Sequence, residues 1–523
     1  MSYTMGFSVQ TNSSAAKDKG QIPVDFRHAL ISGATGSGKT SSLMNPNIKD
    51  RIERGHSVIV FDHKGHEHLK VKALASSQGR LQDVIEIGKP YGVFINLVSL
   101  LDRRTFENGV MELGGGAVGH DPYWIRSAAS LAVSILDILR SAYRFFSRIR
   151  SIVGFLQKYV TVKISYENKK NDLHEEEYHF PTAEPSFTSI LDVCRTPLEL
   201  FRFQIACREV EDRMSGMLEM TAVTLKNTAE DQTVYTEKSV LDLMLLENEL
   251  RIFQRLVKML ESFEINSKDR GNSTGNNGVL QVLQNVLHGV AKADFINIAE
   301  EDLIERLERG AIVIIDTQSI DTRVYGMLLE SLLKRLGNRI RGHSFRPVSV
   351  FIDEANRVLP GGEDLHADVL REAKVELIIA VQNEQQMLVR YGQFAWEAIA
   401  ENLLHRYEVD DTHRVRTTDG YLFHPEPMLF DKALLKEAEI GFLDQEVSRR
   451  VLSSRFIGPP LPGRFTVEYS PYTFSEHMTI RVVDKNTGEK TEHKYVGLSG
   501  KKSILKKVLW MLEAEECPIE TVE

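Results

Sequence analysis

The feature that most constrains the fold of this chain is a glycine-rich loop at residues 33–40, GATGSGKT. A short apolar strand precedes the loop and a helical pattern follows it. The loop matches G-x-x-x-x-G-K-(S/T), whose glycines let backbone N–H groups face phosphate oxygens at the positive end of a helix. We therefore predict a βαβ unit that binds a nucleotide.

Within this loop, Lys39 is expected to reach the β- and γ-phosphates, and the Thr40 hydroxyl to bind Mg²⁺. The predicted cofactors are therefore ATP and Mg²⁺. We expect nine consecutive residues to contact the nucleotide: Gly33, Ala34, Thr35, Gly36, Ser37, Gly38, Lys39, Thr40 and Ser41.

Continuous apolar runs predict further strands of a parallel sheet covered on both faces, so the fold class is α/β with a P-loop NTPase core. These runs are 28–32, 58–61, 311–315, 348–352 and 377–381.

Other segments depart from this sheet pattern. Helical periodicity at 123–157 and 186–260 predicts a mostly helical insertion, interrupted by a β-hairpin at 159–180. A Gly/Asn/Ser-rich stretch at 266–278 predicts a flexible loop. A hairpin around Asn486–Gly488 and then a helix at 503–516 form a small appendage. The predicted domains are 1–140 and 291–460 for the two parts of the ATPase core, 141–290 for the insertion and 461–523 for the appendage.

Composition limits where a nucleic acid can bind. The 523 residues include 64 Lys and Arg against 73 Asp and Glu, a net charge of −9. This excludes a nucleic-acid-binding protein whose whole surface is basic. Any surface that binds DNA must therefore be a local basic patch, such as the lining of a pore. No run of 18 apolar residues and no signal peptide are visible, and three scattered cysteines without zinc spacing indicate a reducing compartment. We expect a cytoplasmic protein.

Three predicted strands end in an aspartate: Asp62, Asp316 and Asp353. Each fits the pattern of a metal-linked aspartate, but only Asp353 has an acidic neighbour, Glu354. Asp353 is expected to organise Mg²⁺ while Glu354 polarises the attacking water. The alternative is that the acidic pair caps a helix. Gln382 follows the strand at 377–381 and either senses the γ-phosphate or is an ordinary strand-end amide.

Two clusters admit a functional and a structural interpretation. His63, His66 and His68 are dense enough to bind metal, but no cysteine or second cluster supports them, which favours a solvated loop. The segment from Arg140 to Arg150 mixes arginines with aromatics, as surfaces that contact a nucleic-acid backbone do. More often, such a run is the wet, solvent-exposed face of an amphipathic helix. The pairs Lys501–Lys502 and Lys506–Lys507 are also basic.

Several segments together resemble the FtsK–HerA superfamily of P-loop translocases, and within it the coupling ATPases of type IV secretion and conjugation. They are RHALISGATGSGKT at 27–40, VIVFDHKG at 58–65, HDPYWIRSAASLAVSIL at 120–136, GAIVIIDT at 310–317, VSVFIDEANRV at 348–358, LREAKVELIIAVQNEQQM at 370–387 and YGQFAWEAIAENL at 391–403. The D-x-K-G, D-P-Y-W and A-V-Q-N-E-Q-Q motifs are more specific than the phosphate loop.

The resemblance implies a RecA-like core with an additional strand and a catalytic glutamate, an all-α insertion, and a hexameric ring around DNA. It also implies that Arg371 completes a neighbouring subunit's site as an arginine finger, with Lys374 a weaker substitute. A surface arginine is the alternative. The hairpin at 159–180 has no counterpart in the family pattern. The transmembrane helices of membrane-bound coupling proteins and the β-barrel of HerA-type translocases are both missing from this sequence.

The leading hypothesis is a hexameric ATPase that translocates DNA or a nucleoprotein in conjugation-like transfer, with a relaxase or secretion-channel proteins as partners. Such a partner would recruit it to the inner membrane. Two alternatives remain. The first is a HerA-like DNA motor that works with a nuclease in repair or phage defence. The second is a docking platform for secreted proteins, whose ring assembles when ATP binds. A GTPase is disfavoured because no N-K-x-D base-reading motif occurs.

Overall fold

The structure is a computed structural model that describes most of the chain. The described residues are 20–89, 92–115, 122–153, 159–167, 173–231, 237–261, 275–299, 301–340, 345–359, 365, 367–452, 465–469, 477–484, 490–496 and 519–521.

A nine-stranded sheet forms the centre of the fold within these residues. Its strands are β1 (Ala29–Gly33), β2 (Ser57–Asp62), β3 (Val84–Ile87), β6 (Ile312–Asp316), β7 (Val348–Ile352), β8 (Val375–Val381), β9 (His405–Val409), β10 (Val415–Thr417) and β11 (Leu422–Phe423). The order is β11-β10-β9-β1-β8-β7-β2-β6-β3. All neighbours from β9 to β3 are parallel, and the antiparallel pairings are those of β10 with β9 and with β11.

The central strands are buried along their whole length, as their apolar sequences predict. Because successive side chains of a strand point to opposite faces, both faces of the sheet are covered. The α/β fold class is thus confirmed.

The described structure also contains helices, a two-stranded hairpin and a small four-stranded sheet. The helices are α1 (Asn45–Glu53), α2 (Glu67–Ser77), α3 (Leu97–Leu100), α4 (Arg103–Gly115), α5 (Pro122–Val153), α6 (Phe187–Val193), α7 (Pro197–Asp231), α8 (Glu237–Glu261), α9 (Gly275–Ala291), α10 (Leu303–Arg309), α11 (Thr322–Gly337), α12 (Ala355–Val358), α13 (Ala367–Glu372), α14 (Glu384–Tyr391), α15 (Gln393–Asn402) and α16 (Lys432–Leu452). A π-helical turn at Thr40–Met44 leads into α1.

The chain divides into two compact units, of which the first holds the sheet and comprises residues 1–95, 300–322 and 332–523. The second, residues 96–299 and 323–331, holds the long helices. The predicted boundary at 140/141 is wrong in this division. It falls inside α5, a continuous helix of 32 residues whose buried stripe packs within the second unit.

The hairpin predicted at 159–180 is present as β4 (Tyr159–Glu167) and β5 (Leu173–Pro181), paired antiparallel. Phe180 of β5 is fully buried between Phe203 and Phe253 of the long helices, at ring-centroid distances of 5.3 and 6.3 Å. The hairpin is therefore an integral part of the helical unit.

The C-terminal hairpin is also present, as β13 (His477–Asp484) and β14 (Lys490–Val496). These strands join β12 (Phe465–Tyr469) and β15 (Ile519–Thr521) in a small sheet of order β14-β13-β12-β15. The helix predicted at 503–516 lies outside the described residues. Of the loop predicted at 266–278, residues 266–274 lie outside the described residues. The prediction is wrong for 275–278, because α9 begins at Gly275.

Candidate active site

Four strands deliver the predicted site residues to one edge of the sheet. The phosphate loop follows β1, the acidic pair follows β7, Gln382 follows β8, and the D-x-K-G turn follows β2. These strands are neighbours in the order β1-β8-β7-β2 and are parallel, so their carboxyl ends meet. The additional strand, β8, lies between the strand of the phosphate loop and the strand of the acidic pair.

Two glycines of the phosphate loop occupy positions that other residues would strain. A Cβ on Gly33 would lie 2.5 Å from the Val409 carbonyl oxygen of β9. Gly38 has a φ of +91°, which favours glycine. The backbone at residues 34–36 is exposed, while the Ser37 hydroxyl is buried with no hydrogen-bond partner among the described residues. A buried hydroxyl without a partner, next to an exposed loop, is suited to donate a hydrogen bond to a bound phosphate.

Lys39 points into this cradle. Its Nζ donates to the carbonyl oxygens of Gly33 and Ala34 at 2.6 and 2.9 Å. Burial lowers the pKa of Lys39, while Asp353 acts in the opposite direction. The Lys39 ammonium is therefore held by carbonyl oxygens of the phosphate loop, where a bound phosphate would balance its charge.

Thr40 and Asp353 meet, although 313 residues separate them in the chain. The Thr40 hydroxyl donates to Asp353 Oδ2 at 2.9 Å, and the aspartate side chain is almost fully buried. These oxygens are ligands that Mg²⁺ prefers, so the residues fit the predicted metal. In the described part of the chain no group of three or more His, Cys, Asp and Glu is arranged to hold a metal. A metal here would depend on phosphate or water oxygens as well.

Glu354 lies beside Gln382, whose Nε2 donates to both carboxylate oxygens at 2.8 Å. Glu354 has a φ of +52°, a left-handed conformation that is uncommon for a non-glycine residue. Its own N–H donates to Asp353 Oδ1 at 3.0 Å. Strained backbone of this kind recurs at functional sites, and here it turns the carboxylate towards Gln382. The catalytic roles of Glu354 and Gln382 stay predictions.

Asp62 stabilises the D-x-K-G turn through hydrogen bonds. Its carboxylate accepts from Gly65 N at 2.7 Å, and from both the N–H and the Nδ1 of His68 at 3.0 and 2.9 Å. Burial alone would raise the pKa of Asp62, but the hydrogen bonds of His68 hold it at about 2. The solvated-loop interpretation is thus wrong for His68, which is buried against this carboxylate. His66 is exposed, and His63 contacts Thr317 Oγ1 at 3.1 Å.

Asp316, the third strand-end aspartate, pairs with Lys89 at 2.9 Å and accepts from Gln318 N at 3.0 Å. Its position at the end of β6 is two strands from β7. The structure thus brings only Asp353, among the three aspartates, into contact with the phosphate loop.

Arg371 lies far from the phosphate loop of its own chain. It is exposed on α13, which precedes β8, whereas the loop and Gln382 lie beyond the opposite ends of their strands. The seven residues of β8 alone span about 23 Å. Lys374 is also exposed there, with its Nζ 5.8 Å from the Phe345 ring centroid. Neither side chain can act on a nucleotide bound to its own subunit.

Two residues to which the sequence analysis gave no role in the site touch it. Lys64 Nζ donates to Asp353 Oδ2 at 2.7 Å and to Thr40 Oγ1 at 3.3 Å. His413, in the turn between β9 and β10, contacts the Ser37 carbonyl oxygen through Nδ1 at 2.7 Å. Lys64 belongs to the D-x-K-G motif, which signalled it, whereas a single histidine in a polar turn carries no signal.

The arginines from Arg140 to Arg148 make contacts within the helical unit. Arg140 donates to the carbonyl oxygens of Val98 and Leu101, and Arg144 and Arg148 pair with Glu249 and Asp242. The aromatics of the segment, Phe145 and Phe146, are fully buried. Helix packing accounts for the buried aromatics, while the Arg144 side chain is 53% exposed, as expected for the solvent-exposed face of an amphipathic helix. Contact of this segment with DNA stays a prediction. The lysines at 501–507 lie outside the described residues.

Comparisons with known proteins agree with the resemblance. Residues 6–185 match the family model described as "Type IV secretory system Conjugative DNA transfer". The predicted resemblance to coupling ATPases is thus confirmed over that part of the chain. No curated protein matches the chain. Among the described residues, no helix is long and apolar enough to cross a membrane.

The chain also matches several solved structures. The plasmid coupling protein TrwB in complex with the ATP analogue ADPNP is 15% identical, covers 74% of this chain and 72% of its own, and has a TM-score of 0.39. The same protein with ADP and Mg²⁺ is 16% identical over 73% and 70%, with a TM-score of 0.36. VirB4 of Thermoanaerobacter pseudethanolicus is 11% identical over 90% and 89%, with a TM-score of 0.32.

Proposed function

We propose that this protein is a magnesium-dependent ATPase that drives DNA, or a nucleoprotein, through a conjugation-like transfer channel. The observation that carries the proposal is the meeting of Thr40, Asp353 and Glu354 at the phosphate loop, with Gln382 on the glutamate. Such a set supplies a phosphate cradle, a metal site and a base for water. The family match over residues 6–185 supports transfer of DNA as the purpose of the reaction.

Each residue of the set has a distinct proposed task. Lys39 and the backbone of the loop bind and orient the phosphates, and Thr40 and Asp353 hold Mg²⁺. When bound, the metal neutralises charge that develops on the phosphoryl oxygens. Glu354 accepts the proton of the attacking water, and Gln382 fixes the direction of its carboxylate and responds to the γ-phosphate.

We also propose that the active form is a hexameric ring. In sites of this kind an arginine from a neighbouring subunit commonly stabilises the charge of the transition state. Arg371 is exposed at the edge of the sheet opposite its own phosphate loop, which suits contact with the site of a neighbouring subunit. With a net charge of −9, DNA would contact a basic lining confined to the pore.

The test is ATP turnover with and without DNA for the wild type, Lys39→Ala and Glu354→Gln. We expect DNA to stimulate the wild type and both variants to lose turnover by at least about a hundredfold. Glu354→Gln should still bind ATP, since the substitution keeps the shape of the side chain. The proposal would be refuted if DNA does not stimulate ATP turnover and both variants retain the turnover of the wild type.

The trans role of Arg371 is tested by mixing. Arg371→Ala and Glu354→Gln are each expected to be inactive alone. Mixed in one ring, they form some interfaces that hold both an intact glutamate and a neighbour's intact arginine, so turnover returns. Arg346→Ala, another arginine of the same unit, is the control and is expected to remain active. Mixing that restores no turnover argues against Arg371 as the finger.

Partner identification separates this function from the two alternatives. Copurification of a relaxase or channel protein fits transfer, whereas copurification of a nuclease fits repair or defence. A docking platform would form rings with ATP and bind secreted proteins without DNA-stimulated turnover.

A further inference from the structure

Lys64 occupies the place between the two proposed metal ligands. Its ammonium is 2.7 Å from Asp353 Oδ2 and 3.3 Å from Thr40 Oγ1, while those oxygens are 2.9 Å apart. The three atoms form a closed triangle of hydrogen bonds. The same Asp353 oxygen that is assigned to the metal is therefore already bound to a cation.

The turn that carries Lys64 is held from several sides. Asp62 accepts from Gly65 N, and Gln318 Nε2 donates to the His63 carbonyl oxygen at 2.9 Å. Gly65 has a φ of +77°, and a Cβ there would lie 2.6 Å from Gln318 Oε1. The backbone on both sides of Lys64 is thus fixed, and this fixed backbone directs the side chain towards Asp353.

An ammonium and a divalent cation compete for these oxygens. Both need the lone pairs of Asp353, and two cations at hydrogen-bond distance repel each other strongly in a site of low dielectric. Asp353 has a side-chain exposure of 8%, so little water screens the repulsion. The Lys64 side chain is 36% exposed, so solvent is open to it when it leaves.

We propose that Lys64 is a built-in competitor of the metal. It holds Thr40 and Asp353 together until Mg²⁺ arrives with the nucleotide, and it must give up Asp353 for the metal to bind. The ion pair therefore weakens metal binding and ties it to a movement of the D-x-K-G side chain. This inference rests on the proposed function in one respect: both require that the phosphate loop binds a nucleotide.

The competition is measured by binding, independently of turnover. A fluorescent ADP analogue is titrated into wild type and Lys64→Met, in Mg²⁺ and in excess EDTA, and the ratio of the two Kd values gives the gain from the metal. Methionine keeps the length of the side chain and removes its charge. We expect the ratio to rise about tenfold in Lys64→Met, the size of one charge-assisted hydrogen bond, through tighter binding in Mg²⁺. Binding in EDTA should stay unchanged.

Two control variants sharpen the result. Lys64→Arg keeps a cation at Asp353, so its ratio should remain near that of the wild type. Lys49→Met removes an exposed lysine that pairs with Glu53 at 3.5 Å, away from the loop, and should change nothing.

The outcomes separate this inference from the proposed function. An unchanged ratio in Lys64→Met overturns the inference alone. Weaker binding in EDTA with unchanged binding in Mg²⁺ would make Lys64 a phosphate ligand, which also overturns the competition. If the wild type binds the nucleotide in neither condition, the proposed function and the inference fail together. Loss of turnover in Lys39→Ala with an unchanged Lys64→Met ratio supports the ATPase and rejects the competitor.

Discussion

Arg51 of α1 is fully buried, and its charge is balanced by two carboxylates. Nε and Nη2 donate to the two oxygens of Glu376 at 2.6 and 3.0 Å, and Nη1 donates to Asp50 at 2.7 Å. The Glu376 side chain is 2% exposed and also accepts from Ser349 Oγ at 2.6 Å. This cluster fixes α1, the helix that follows the phosphate loop, to the start of β8.

Removing one partner of this pair leaves the other charge buried. Such a loss costs about 3–5 kcal/mol. We therefore expect Arg51→Met to lower the free energy of unfolding by about 4 kcal/mol, and Glu376→Gln by about 3 kcal/mol because Asp50 still faces the arginine. The double variant should lose no more than about 4 kcal/mol, since neither charge is then stranded. The resulting coupling energy is at least about 3 kcal/mol.

The assay must follow the unit that contains the pair, because a protein of two units need not unfold in one step. Trp396 is buried in the sheet unit, so replacing Trp124 and Trp510 by phenylalanine leaves a local probe. Urea unfolding of the four forms, monitored by Trp396 fluorescence, gives the cycle.

The control is Arg54→Met, which also removes a hydrogen bond to Asp50 but from a side chain that is 47% exposed. It should cost no more than about 1 kcal/mol. Strict additivity of Arg51→Met and Glu376→Gln, or equal losses for Arg51→Met and Arg54→Met, would refute the reasoning from burial.

Three further predictions concern other parts of the chain. Burial lowers the pKa of His56 from 6.5 to about 4, so the unfolded chain takes up the proton first and stability falls by about 1.4 kcal/mol per pH unit between pH 6.5 and 4. His56→Gln should reduce the slope of unfolding free energy against pH by one proton, and an unchanged slope contradicts this. Gln382→Leu should lower kcat at least about tenfold while nucleotide Kd changes less than about twofold, with exposed Gln386→Leu as the control; an equal loss in both variants speaks against positioning of Glu354. Phe180→Ala should destabilise the helical unit by about 3–5 kcal/mol in thermal unfolding, and a loss below about 1 kcal/mol would mean that the hairpin does not pack there.

Much of the fold could be predicted because its signals are local. Apolar runs of four or five residues marked β2, β6, β7 and β8, and polar turns marked both hairpins. The domain boundary was missed for the opposite reason. Helical periodicity continues through residue 141, and only packing against distant helices shows that α3 and α4 belong to the same unit as α5.

The sequence by itself determined the phosphate loop, since its spacing and the flanking strand and helix are contained in a few consecutive residues. It also singled out the acidic pair, Asp353 and Glu354. Strand order was decided by the tertiary structure, which placed β8 between β1 and β7 and so brought Gln382 onto Glu354. The contact of Lys64 with Asp353, across 289 residues, was decided in the same way. Spacing along a chain encodes local conformation, whereas a contact between distant segments depends on how the sheet assembles.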